Sequence, residues 1–150
     1  MTMKNNIHAT GIQIKRVGIL LRGPSGAGKS LLALELLREA EHQGKPGLLV
    51  GDDRIEIIAG ANQIEMRAPG SIAGRIELRG RGIVLRPYIE KCRVDLVVDL
   101  VDSLERMPER ERFSTIVAGV KLACCPVPIR GIVDPSHQRL LVHEALLALA

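Results

Sequence analysis

Residues 22–32 read RGPSGAGKSLL, three glycines and a lysine set between two apolar segments. On one side Val17-Gly18-Ile19-Leu20-Leu21 has the composition of a buried strand. On the other, Ala33, Leu36, Leu37 and Ala40 recur at i, i+3, i+4 and i+7, which predicts a helix over 29–40. Glycine permits backbone angles that other residues avoid, and successive N–H groups at a helix start form an anion cradle. The spacing Gly23-x-x-x-x-Gly28-Lys29-Ser30, in its strand–loop–helix context, is the full P-loop pattern. It predicts a nucleotide phosphate site built from Gly23, Pro24, Ser25, Gly26, Ala27, Gly28, Lys29 and Ser30. Lys29 is expected on the β- and γ-phosphates, with no structural partner of its own, and the Ser30 hydroxyl on Mg²⁺. ATP and Mg²⁺ are therefore the expected cofactors.

The chain around this motif has 150 residues, enough for one domain with a sizeable core. With one Tyr, one Phe and no Trp, that core must be aliphatic, and no aromatic platform is available for stacking bases. The net charge of +4 is mild and its basic residues are interleaved with acids, which argues against nucleic acid as a partner. No run reaches the ~18 apolar residues a membrane helix needs, and the polar residues 1–6 do not resemble a signal peptide. The three cysteines, two of them adjacent at 124 and 125, fit neither a disulfide framework nor a zinc spacing. They read as buried small hydrophobes in a reducing compartment, so the expected location is the cytoplasm.

No repeat, linker or low-complexity tract divides the chain. Leu48-Leu49-Val50 reads as a short strand ending at Gly51-Asp52-Asp53, and residues 55–57 and 64–66 alternate with period two around Gly60-Ala61-Asn62, as in a hairpin. Residues 75–85 are basic and punctuated by glycine, 94–101 (VDLVVDLV) form a strong strand candidate, and 103–112 a charged loop or short helix. Strands are also expected at 127–133 and 139–142, with a helix or strand end at 144–150. Strands outnumber helices, so the expected fold class is α/β: a P-loop strand–loop–helix unit in a mixed β-sheet core, a single domain over 1–150.

Mg²⁺ takes oxygen ligands and commonly one or two carboxylates besides phosphates. Two segments offer them: Asp52-Asp53, and the Asp95, Asp99 and Asp102 of VDLVVDLVD. Side chains alternate along a strand, so Asp52 and Asp53 should not both face the phosphates; one faces the site and the other supports it or turns outward. Asp52-Asp53 is favoured, with Asp99 the competing candidate.

The segments IHATG, RGPSGAGKS, LVGDDRIEI, IELRGRGIV and VPIRG, in that order, resemble the catalytic domain of bacterial HPr kinase/phosphorylase over about residues 8–130. That family phosphorylates a seryl residue of the phosphocarrier protein HPr and also removes the phosphate. The resemblance implies a short form without the additional N-terminal domain and C-terminal helix of longer members. It implies that His8, Lys29, Asp52 and Arg106 are catalytic. In that reading Asp52 takes the hydroxyl proton in phosphorylation and returns it in the reverse reaction. Ser30 and Glu77 would bind the metal, and Asp53, Arg79 and Arg130 would support the site. Arg75, Arg79 and Arg81 either stabilise developing charge or dock an acidic partner surface. An HPr-like protein is the implied partner and a homo-oligomer the implied assembly, with no role for nucleic acid or membrane. Arg130 lacks the second arginine that the family's dephosphorylation segment carries, so kinase chemistry is better supported than phosphorylase chemistry. The alternatives from the residues alone are a P-loop small-molecule kinase or ATPase using Asp99, and a non-catalytic nucleotide-binding regulatory module.

Overall fold

A six-stranded mixed sheet carries the strand that leads into the glycine-rich loop near its middle. The computed structural model describes residues 3–70 and 73–149. In chain order the strands are β1 (Met3–Ile7), β2 (Ala9–Ile14), β3 (Val17–Arg22), β4 (Gly47–Gly51), β5 (Ile55–Ala59), β6 (Ile64–Arg67), β7 (Arg75–Leu78) and β8 (Gly82–Leu85). They continue with β9 (Lys91–Arg93), β10 (Leu96–Val101), β11 (Ser114–Val117) and β12 (Val120–Pro128). Helix α1 (Lys29–His42) follows β3, α2 (Pro135–Ala148) follows β12, and a 3₁₀ turn occupies Arg110–Phe113. The main sheet has the order β11-β12-β10-β3-β2-β4, with β3, β10 and β12 parallel and β2, β4 and β11 antiparallel to their neighbours.

Alternation along the strands sorts the core into two layers. Ile19, Leu21, Leu96, Val98 and Leu100 face the helices and meet the α1 stripe of Leu32, Ala33, Leu36 and Leu37. Leu20 and Val97 face the other way, onto a four-stranded antiparallel sheet of order β1-β5-β6-β9 that contributes Ile55, Ile57, Ile64 and Met66. The hairpin β7–β8 forms a small third sheet whose Ile76, Leu78 and Val84 pack into the helix-side core. Close approach of the layers depends on Gly18: a Cβ there would lie 1.8 Å from the Arg93 carbonyl oxygen. The Gly18 N–H donates to Asp95 Oδ2 at 2.9 Å, and its carbonyl accepts from the Asp95 N–H at 2.8 Å.

The mixed α/β class, the P-loop helix, the 55–66 hairpin and the 94–101 strand agree with the sequence reading. Two expectations are corrected. Residues 139–142 are not a strand but lie inside α2, which starts where Asp134 accepts the His137 N–H at 2.9 Å and Pro135 fills the first turn. The late strand runs over Val120–Pro128 rather than 127–133. Strand β2, which the sequence reading omitted, joins β3 through a two-residue turn of Lys15 and Arg16, both left-handed at φ 49° and 68°.

Candidate active site

The loop 23–28 leaves β3 and enters α1 with Gly26 and Gly28 at φ 82° and 98°, and a side chain added at either would meet nothing within 4 Å. No side chain caps α1 and no acidic residue stands in its first turn, so its orphan N–H groups keep their positive end of the helix dipole. The cradle is thus open, electropositive and lined by backbone. It fits the phosphates of a nucleotide. Lys29 is only 7% exposed and its Nζ donates to the carbonyls of Gly23 at 2.8 Å and Pro24 at 3.1 Å. The expectation that Lys29 has no structural partner is therefore corrected: its ammonium closes the loop on itself.

Asp52 lies just past the end of β4 and gathers the site. Its Oδ1 accepts the Ser30 hydroxyl at 2.6 Å and the Thr10 hydroxyl at 2.8 Å, while Oδ2 accepts the Glu77 N–H at 3.2 Å. Thr10 is fully buried on β2, where the ladder with β4 shifts register between Gly11 and Ile12. Asp53 has φ 70°, which turns it outward to stand 3.8 Å from His8 Nδ1, both side chains well exposed. The two acids face different ways, but the cause is the left-handed turn at Asp53 beyond the end of β4 rather than alternation along a strand.

The other predicted residues are placed as follows. Glu77 reaches Asp52 through its backbone while its side chain is exposed, and Arg79 is exposed in the hairpin tip. Arg106 lines a separate cavity of about 760 Å³ between residues 101–113, β12 and α2. Arg130 pairs with Glu35 of α1, whose other oxygen accepts Arg139 at 3.0 Å, so Arg130 belongs to an inter-helix ion cluster. Asp99 is held by Arg22, which donates from Nε at 2.8 Å and from the terminal nitrogen at 2.9 Å. This bidentate bond to Asp99 raises the guanidinium pKa against the effect of its burial. Asp99 shares its sheet face with Val97, away from α1. Thr10 was missed by sequence reasoning; the available signal was a hydroxyl two residues after His8, flanked by Ala9, Gly11 and Ile12. The three cysteines are free and buried, and burial pushes each thiol up to about 12. Among the described residues no helix is long and apolar enough to cross a membrane.

Comparison with known proteins gives one consistent answer. The chain is 32% identical over 137 residues to the HPr kinase/phosphorylase of Mycoplasma genitalium, covering 82% of this chain and 42% of that protein. It is 35% identical over 114 residues to the HPr kinase/phosphorylase of Caldanaerobacter subterraneus, covering 73% of this chain and 35% of the relative. The chain therefore spans less than half the length of these relatives. The solved structure of the Hpr(Ser) kinase/phosphatase from Coxiella burnetii superposes with a TM-score of 0.72 at 28% identity, covering 97% of this chain and 98% of that one. The profile of the HPr Serine kinase C-terminal domain matches residues 1–137, and the chain belongs to that family.

Proposed function

We propose that this chain is an ATP-dependent protein-serine kinase domain that phosphorylates a seryl residue of the phosphocarrier protein HPr, with reverse phosphorolysis as its weaker activity. Control of carbohydrate metabolism would be its setting. The observation that carries this reading is the seat of Asp52, hydrogen-bonded to the Ser30 hydroxyl at the mouth of the phosphate loop while Oδ2 keeps a single N–H partner. Family membership and the open glycine cradle support it.

Magnesium nucleotide, when bound, supplies the γ-phosphoryl group and the cation that offsets its charge. The loop N–H groups and Lys29 hold the phosphates, Lys29 exchanging its two carbonyl contacts for phosphate oxygens. Ser30 and Glu77 would hold the cation. Glu77 is exposed on the hairpin face away from α1, so its carboxylate would turn towards Ser30 to share the cation. Asp52 Oδ2 accepts the proton of the incoming seryl hydroxyl, whose oxygen bonds to phosphorus as the bond to the leaving ADP oxygen breaks. Thr10 keeps Oδ1 occupied, so the free lone pair of Oδ2 is presented to the substrate. In this reading His8, beside Asp53 at the rim, orients the incoming chain and Arg79 meets the phosphoryl oxygens, while Arg106, which lines the separate cavity, would swing in from its loop. Arg130 would hold inorganic phosphate in the reverse direction by exchanging its pairing with Glu35 for the phosphate oxygens. Self-association and a cytoplasmic location belong to the same reading, the latter consistent with three free, buried thiols.

A small-molecule kinase using Asp99 fits less well, because both oxygens of Asp99 are taken by Arg22. Labelled ATP, Mg²⁺ and purified HPr, incubated with the chain and with its Asp52→Asn variant, test the proposal. Label on a serine of HPr, lost with Asp52→Asn, is the expected result. Unchanged labelling by the variant would refute it.

A further inference from the structure

The β7–β8 hairpin breaks the usual pattern of a half-buried sheet, in which the solvent face is polar. In its register Arg75 stands opposite Leu85 and Glu77 opposite Ile83, all on the face away from α1. Ile83 is 62% exposed and Leu85 70%, whereas Ile76 on the opposite face is 1% exposed. Arg79 and Arg81 are exposed in the adjoining tip. The charges within residues 75–85 are thus three arginines against one glutamate, and the two aliphatics sit among them. An apolar pair ringed by uncompensated guanidinium groups is the composition of a protein-docking patch rather than of an inert surface.

Its position names the occupant. The backbone N–H of Glu77 points out of the hairpin and donates to Asp52 Oδ2, so β7 forms one wall of the site and its exposed face adjoins the proposed base. A protein that brings a hydroxyl to Asp52 meets the β7 strand beside it. We infer that the exposed β7–β8 face is the docking surface for the protein substrate, receiving an apolar patch edged by acidic residues beside the target serine. The inference rests on the kinase reading and deepens it. Ile83 and Leu85 would supply the buried centre, while Arg75 and Arg81 would supply the charged rim that steers approach and sets register. A second copy of the chain suits the face less well, since self-complementary contact would bring the same arginines towards one another.

The test uses fluorescently labelled HPr and the full chain loaded with a non-hydrolysable ATP analogue. Anisotropy gives the Kd for wild type, for Ile83→Ser/Leu85→Ser and for Arg75→Ser/Arg81→Ser, at low and high salt. Each pair is expected to weaken HPr binding by about tenfold or more, the scale of losing interface anchors. The aliphatic pair should leave nucleotide affinity unchanged, and the arginine pair should abolish most of the salt dependence. Equal HPr affinity in wild type and both variants would overturn the inference. So would a fall in kcat with intact binding in the arginine pair, which would assign those residues to developing charge. A change in oligomeric mass by light scattering in the aliphatic pair would overturn it too, by making the face a contact between copies. Failure of the wild type to transfer phosphate to HPr it binds would sink the kinase reading separately, leaving the docking surface standing on the binding data.

Discussion

Thr10→Val removes a single hydroxyl from a fully buried position with little change in volume, so its effect isolates one hydrogen bond. Oδ1 of Asp52 receives two hydroxyls, from Thr10 at 2.8 Å and Ser30 at 2.6 Å. Once Ser30 turns to a cation, Thr10 is the donor left on that oxygen. A hydrogen bond to a charged group contributes about 1.5–3 kcal/mol, and this carboxylate is only half buried, so the lower end applies. If the bond holds Asp52 in its reactive orientation, losing ~1.4 kcal/mol lowers the transfer rate about tenfold. The variant should also unfold more easily, by roughly 1.5 kcal/mol in urea. Nucleotide affinity should stay within about twofold, because the Thr10 hydroxyl bonds to Asp52 and not to the glycine loop itself, and Thr10→Ser should restore most of the rate. Single-turnover transfer at saturating ATP separates these effects from binding. Wild-type kcat in a folded Thr10→Val protein would show that Asp52 needs no such support.

Lys29→Ala should abolish transfer, and because it also removes two contacts to loop carbonyls, it should cost stability of about 1–2 kcal/mol, read from a denaturant midpoint alongside the rate. Asp52→Asn is expected to cost ~10²-fold or more in transfer with nucleotide binding retained, while Asp99→Asn should affect transfer little and destabilise by about 1–2 kcal/mol, since it weakens the hold on the Arg22 charge; a reversed ranking of the two rates would favour the small-molecule reading. Asp134 has its pKa lowered, first by the His137 N–H and then by the Ser136 hydroxyl. Its stabilising effect is therefore complete above the unfolded value near 3.9 and is lost as pH falls through the lower folded value, so acid melting curves of Asp134→Asn should lack that component. Finally, one purified preparation should phosphorylate HPr faster than it dephosphorylates phospho-HPr at matched phosphate, because a lone guanidinium holds an oxyanion less tightly than two; equal initial rates that saturate at low phosphate would show that another residue completes the clamp.

The strand–loop–helix geometry around residues 23–28 was legible because glycine, lysine and flanking apolar periodicity all report on local structure. The position of Asp52 just after a strand was legible from chain order, but its separation from Asp53 comes from a left-handed residue that alternation does not anticipate. What stayed hidden depended on non-local geometry or on unusual turn chemistry. Strand β2 is invisible because Lys15 and Arg16, rather than Asn-Gly, adopt the left-handed turn that pairs it with β3. Residues 139–142 are β-like in composition alone; the Asp134 cap and Pro135 override that preference. Thr10 acquires its importance from a carboxylate 42 residues away, and Asp99 loses its candidacy to an arginine 77 residues away. Neither relation has a spacing to be read.

The strand order has a consequence for how the chain is made. Thr10, Lys29, Ser30, Asp52 and Glu77 all precede residue 78, yet the strand beneath the phosphate loop takes its second neighbour, β10, from residues 96–101. During N-to-C synthesis these five residues emerge before β3 is flanked on both sides, whereas Arg106 and Arg130 follow β10. Until β10 arrives, an apolar strand edge stands open next to a finished cradle, and open edges recruit foreign strands. Aggregation during expression would therefore be governed by how quickly residues 96–128 clear the ribosome, and slowing translation just upstream of β10 would lengthen the exposed interval.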